Sequence, residues 1–184
     1  MTLHDDLAAL LAEAAVLDVD IDEAVADEHV RVAAYLRVIA VTAAARSRDR
    51  DRATVAAIVR DPYESGARTA VVALVDSIAL KSSGPEEFRR WTAELLPETD
   101  RLTVEGHRAF VRRRIEDWLL HLSVEEGRVP TRDELAEATH WMQRRLADKA
   151  TSPAVLALLA ESGTTRKIRN TAKNRAGSRE PRNR

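Results

Sequence analysis

Ala67-Arg68-Thr69-Ala70-Val71-Val72-Ala73-Leu74-Val75-Asp76-Ser77-Ile78-Ala79-Leu80-Lys81 is the stretch whose reading decides the fold. Its centre, Val71 to Val75, is a short apolar run that suits a buried parallel strand as well as a buried helix, and periodicity alone does not separate the two. The apolar pattern runs from Ala67 to Lys81, longer than an ordinary strand, and its alanines are the best helix formers. The stretch therefore reads as a buried helix.

The flanks agree. Upstream, Thr54 to Arg60 reads as a short helix ended by Asp61-Pro62, because the residue before a proline is pushed out of the α region. Downstream, Ser82-Ser83-Gly84-Pro85 is the clearest break, and Pro85 suits the first position of a new helix with Glu86 and Glu87 in its first turn. That helix carries Phe88, Trp91, Leu95 and Leu96 and is expected to stop at Pro97. A helix from Thr103-Val104-Glu105 to Leu122 places Phe110, Val111, Ile115, Trp118, Leu119 and Leu122 at helical spacing. Gly127 and Pro130 bracket a loop. Thr131 and Glu134 match a capping box that opens a helix to about Lys149, and Thr151-Ser152-Pro153 starts another that Ser162-Gly163 ends. Towards the N-terminus, Thr2 is an N-cap for a first helix with Leu3, Leu7, Leu10, Leu11 and Ala14 on one stripe. Asp18 to Asp22 reads as a connection, and one long helix is expected from Ile21 to Arg46. The alternating charges of Arg46 to Arg52 read as a solvated turn or exposed helix end.

Composition supports an all-α fold. The chain has 184 residues, 45% apolar but only 4% aromatic, with 6 glycines and 6 prolines, too few breakers for a many-turned β fold. The expectation is an irregular bundle of about seven or eight helices over residues 1–165, followed by a basic C-terminal tail, 166–184, that forms a short helix and is disordered after about Gly177. Cysteine is absent, which excludes disulfides, zinc–thiolate sites, iron–sulfur clusters and cysteine nucleophiles. No apolar run approaches the ~20 residues that span a bilayer, and the acidic start, Thr2 to Asp6, does not read as a signal peptide. The expected location is a bacterial-type cytoplasm, with no membrane partner.

The net charge of −1 hides an asymmetry. Residues 166–184 hold eight basic side chains and one acid, a net +7, which leaves −8 on the rest. The tail cations Arg166, Lys167, Arg169, Lys173, Arg175 and Arg179, with Arg144 and Arg145, are the candidate contacts for a nucleic acid or an acidic partner, because flexible basic arms neutralise phosphates and release counterions. No aromatic residue accompanies the tail, so base stacking is not offered.

Three segments share a pattern: Asp27-Glu28-His29-Val30-Arg31-Val32-Ala33-Ala34, then Thr54 to Asp61 followed by Gly66-Ala67-Arg68-Thr69-Ala70, then Pro153 to Glu161 followed by Gly163 and Ile168-Arg169-Asn170-Thr171-Ala172. A helix, an acidic turn and an arginine shortly before an alanine-rich second helix resemble the HEAT repeat. The resemblance implies stacked helical hairpins with Arg31, Arg68 and Arg169 in equivalent places and Arg108 or Arg112 filling the long gap between the last two. An irregular bundle is the other reading of the same residues.

Catalytic motifs are missing. There is no Gly-x-Ser-x-Gly, P-loop or Gly-x-Gly-x-x-Gly, and no cofactor is expected. Of the histidines, His140 forms a Glu137-x-x-His140 pair expected on one helix face; di-iron bundles need two such motifs and two further glutamates. His121 and Glu125 stand at i, i+4. Glu126 to Ala136 resembles the opening of bacterial winged-helix and sigma-type modules, but Glu137 to Arg145 is expected to continue as one helix without their turn. Trp91, Trp118 and Trp141 are read as core anchors; an exposed one would mark a partner surface. The functional expectation is a non-enzymatic scaffold or accessory subunit with a protein partner or a second copy of itself, and the alternative is a nucleic-acid-binding protein that uses the basic tail.

Overall fold

Helix pairs carry the architecture. The computed structural model describes residues 2–178; Arg179, one of the basic candidates, and the segment after Gly177 expected to be disordered fall wholly or almost wholly outside that range. Among the described residues there are eleven helices and no strand: α1 (Leu3–Glu13), α2 (Ile21–Ala26), α3 (Glu28–Ala44), α4 (Asp51–Ile58), α5 (Glu64–Ala79), α6 (Pro85–Thr99), α7 (Glu105–Glu125), α8 (Arg132–Glu137), α9 (His140–Lys149), α10 (Pro153–Ser162) and α11 (Arg166–Gly177). The all-α expectation holds, and Ala67 to Lys81 falls in α5 and the turn that follows it.

The helix number exceeds seven or eight because two segments expected to be single helices are each broken in two, and because the short tail helix, α11, is counted with the rest. Asp27 ends α2 in an extended conformation and opens α3, its carboxylate accepting from the His29 and Val30 amides. Ala138 is likewise extended, and Thr139 caps α9 by accepting from the Met142 amide. Thr139 is held from the other side by the Asp117 carboxylate, which accepts from its amide (3.1 Å) and its hydroxyl (2.5 Å). An Asp or Thr that can bond the backbone locally competes with the helical ladder, and here it wins. The same break corrects two further readings. Glu137 ends α8 and His140 begins α9, so they do not share one helix face. Glu137 to Arg145 does not continue as one helix; the interruption is Ala138-Thr139, shorter than a helix-turn-helix turn and without its glycine. Pro97 lies inside α6 rather than after it. It is exposed and in the last turn, so it forfeits a single ladder bond, and the Asp100 amide still reaches the Leu96 carbonyl at 2.9 Å.

The chain divides into two compact units. The first holds, of the described residues, 2–82 and 87–115. In it α2 pairs with α3, α4 with α5, and α3 lies along α5, with α1 against α2, α3 and α4. Its core is Leu7, Leu10, Leu11, Tyr35, Val38, Ile39, Val55, Ile58, Leu74, Val75, Phe88, Leu95 and Val111, all buried. The second unit holds, of the described residues, 83–86 and 116–178. There α10 packs against α8, α9 and α11, and α11 against α9. Trp118, Leu135, Met142, Leu146, Val155, Leu156, Leu159, Ile168 and Ala172 fill its core.

Candidate functional site: a repeated tie between helix pairs, and a basic helix face

The fourth residue of several second helices does the same job. The last four carbonyls of a helix have no partner within it. Arg31, fourth in α3, donates through Nη1 to the Ala24 and Val25 carbonyls at 2.9 and 3.0 Å. Arg108, fourth in α7, donates to the carbonyls of Leu102 and, at 3.1 Å, Thr103. Gln143, fourth in α9, donates through Nε2 to the Leu135 and Ala138 carbonyls at 2.8 and 3.2 Å. Arg169, fourth in α11, donates to the Gly163 carbonyl at 2.6 Å. Each reaches back to the end of the preceding helix or to the turn that follows it.

Two of these residues also reach forward. Arg31 Nε donates to Asp61 Oδ2 at 2.7 Å, and Asp61 sits in the turn between α4 and α5. Asp61 also accepts from the Tyr35 hydroxyl (2.8 Å) and the Tyr63 amide (2.7 Å), and the Arg31 and Asp61 side chains are almost fully buried. Burial, followed by the charge of Asp61, pushes the Tyr35 phenol well above its ordinary value, which keeps it a neutral donor. In the second unit, Gln143 Oε1 accepts from the Thr164 amide (2.9 Å) and hydroxyl (3.0 Å), and Thr164 sits in the turn between α10 and α11. Arg31 and Gln143 thus each tie the first helix of their own pair to the turn of the next pair.

Of the arginines that the sequence set in equivalent places, Arg31 and Arg169 make this backward bond, and so does Arg108, one of the two proposed to fill the gap; Gln143 was not among them. Arg68 departs from the set: it is fifth in α5, bonds the Ser65 hydroxyl at 3.4 Å and lies over the Phe110 ring. Arg112 pairs instead with Asp100 at 2.7 Å.

The basic candidates split into two groups. Residues 166–177 form α11, which packs against α9 and α10 and buries Ile168 and Ala172. Arg169 is occupied as above, and Arg175 donates to the Ala147 carbonyl at 2.8 Å. Arg145 lies over the Trp118 ring, 4.5 Å from its centroid, and donates to His121 Nε2 at 3.4 Å. These three hold the fold. Arg166, Lys167 and Lys173 on α11 and Arg144 on α9 are exposed, and none of the four makes an ion pair among the described residues. Asn170 and Asn174 share the exposed face of α11 with its free cations.

Trp91 and Trp118 are buried, as read from the sequence, but Trp141 is 37% exposed and meets Trp118 edge-on. His121 is buried beneath Trp118, 3.3 Å from Glu125, with Nδ1 unbonded. Burial lowers its pKa, Glu125 opposes this and Arg145 adds to it. The unfolded chain then takes up a proton near the ordinary histidine value of about 6.5 that the folded chain refuses until lower pH. Stability is expected to fall as pH drops from about 6.5 to the lower folded value, at no more than about 1.4 kcal/mol per pH unit. Urea unfolding of the native chain and His121→Phe across this range checks it: the variant should lack that component of the slope.

Among the described residues no three His, Asp or Glu side chains are grouped to hold a metal ion, and no helix is long and apolar enough to cross a membrane. No family model matches the sequence, and comparison with curated proteins and with solved structures finds no match.

Proposed function

We propose that the chain is a non-enzymatic helical-hairpin scaffold of HEAT-like type, an accessory subunit that docks onto a larger cytosolic assembly. The observation that supports this reading is the repeated tie, in which Arg31 and Gln143 each cap their own pair and bond the turn of the next. Solenoids of helix pairs gain stability chiefly from neighbour-to-neighbour contacts of this sort and serve as extended binding surfaces. The half-exposed Trp141 fits a partner contact, since aromatic side chains anchor interfaces. In gentle lysates of the source cells the chain is expected to elute far above the volume of a 20.5 kDa monomer, and Trp141→Ala should return it towards the monomer position. Elution as a monomer in lysate and in cross-linked cells alike contradicts the reading.

A second reading is favoured by the exposed face of α11. Arg166, Lys167 and Lys173, interspersed with Asn170 and Asn174 and lacking acidic partners among the described residues, offer a nucleic acid phosphate contacts and amide groups on one surface. Fluorescence anisotropy with duplex DNA, single-stranded DNA and RNA at 50–200 mM salt tests it. The expected result is binding whose salt slope shrinks by about 0.9 for each duplex phosphate contact removed in Arg144→Ala, Arg166→Ala, Lys167→Ala and Lys173→Ala combined. Absence of binding at the lowest salt rejects it and leaves the anionic partner a protein.

A further inference from the structure

A cleft in the first unit is lined by α1, α3, the α3–α4 loop and the start of α4, and has a volume of about 350 Å³. This is within the range of small-molecule sites. Leu10, Ala14, Val38 and Val41 give it apolar walls, and Asp51 and Thr54 are its polar lining from α4. The loop was read from sequence as solvated charge, but Asp51 is 2% exposed. Its Oδ2 accepts from the Trp91 indole at 2.8 Å and lies 3.3 Å from Arg48 Nη1. Its Oδ1 is buried and has no hydrogen-bond partner. A buried carboxylate oxygen left unbonded is costly and calls for an explanation, such as a water, an ion or a functional contact.

The surrounding charges select the ligand. Arg50 is engaged by Glu13 through both its carboxylate and its carbonyl. Arg48 donates through Nη2 to the Thr42 and Ala45 carbonyls, while its Nη1 lies beside Oδ2 of Asp51 and is buried without a hydrogen bond. Asp49 adds a further negative charge to the lining. Arg48 is not part of the cleft lining, where the acids Glu13, Asp49 and Asp51 stand against one cation, Arg50, so the lining favours a cation over an anion.

We propose that this cleft binds a small apolar amine, whose ammonium group donates to Asp51 Oδ1 while its hydrocarbon part rests on Leu10, Ala14, Val38 and Val41. The proposal does not depend on the scaffold reading. Calorimetric titration of the full chain with cyclohexylmethylamine and with its neutral isostere cyclohexylmethanol tests it. The amine is expected to bind at least tenfold more tightly than the alcohol, Asp51→Asn to erase that difference, and Val41→Trp, which fills the wall without touching Asp51, to abolish binding of both. Equal binding of amine and alcohol, no binding of the amine, or full amine binding by Val41→Trp would each overturn it. Because the isostere comparison uses the native protein, it decides the matter even if Asp51→Asn fails to fold.

Discussion

Asp61→Ala is expected to lower the free energy of unfolding by about 3–5 kcal/mol, the cost of removing one partner from a buried ion pair. Three donors converge on this carboxylate: Arg31 Nε, the Tyr35 hydroxyl and the Tyr63 amide. Without it a guanidinium stays in the core, still bonded to the Ala24 and Val25 carbonyls but lacking its counter-charge. The pair itself is worth much less than its disruption, because both charges paid desolvation on folding. Arg31→Met combined with Asp61→Leu should therefore recover most of the loss. Urea unfolding of Arg31→Met, Asp61→Leu and the double variant forms the cycle. A loss below about 1 kcal/mol in Asp61→Ala would show that the tie between these helix pairs carries no weight.

Gln143→Leu is the second large effect, expected at about 3–5 kcal/mol. Gln143 is fully buried and uses both ends of its amide. Leucine leaves the Leu135 and Ala138 carbonyls without that donor and the Thr164 amide without its acceptor. Each buried group left unsatisfied costs about 1–3 kcal/mol. Gln143→Arg is expected to fall between the two: a guanidinium can restore the backward bonds but cannot accept from Thr164. Unfolding curves of the three proteins give the order native, Arg, Leu, and a leucine variant as stable as the native chain contradicts the assignment.

The helical class was legible because it rests on local signals. Thr2 and Thr131 form the capping boxes that their sequences announce, Ser152 caps α10 just before Pro153, and the alanines of α5 outweigh its valine run. What escaped the sequence depends on contacts distant along the chain. Thr139 breaks a helix because Asp117, twenty-two residues earlier, holds its amide and hydroxyl. Asp51 looks like one charge in an alternating run until Trp91, forty residues later, reaches its carboxylate. Charge counting found Arg145, Arg169 and Arg175, but whether an arginine faces solvent or a carbonyl is set by packing, and these three are spent on structure. The arginine-before-alanine pattern pointed to Arg31, Arg68 and Arg169, of which Arg31 and Arg169 make the backward bond and Arg68 does not; Gln143 was not readable, because an amide does an arginine's work there.

Amide hydrogen exchange on Arg31→Met and Gln143→Leu, measured side by side, tests the central claim most directly. If each residue ties its own helix pair to the turn of the next, the Tyr63 amide in the first variant and the Thr164 amide in the second should lose protection well beyond the amides of α3 and α9 that carry the substitutions. Loss confined to the substituted helix, or spread evenly over the whole chain, would contradict it.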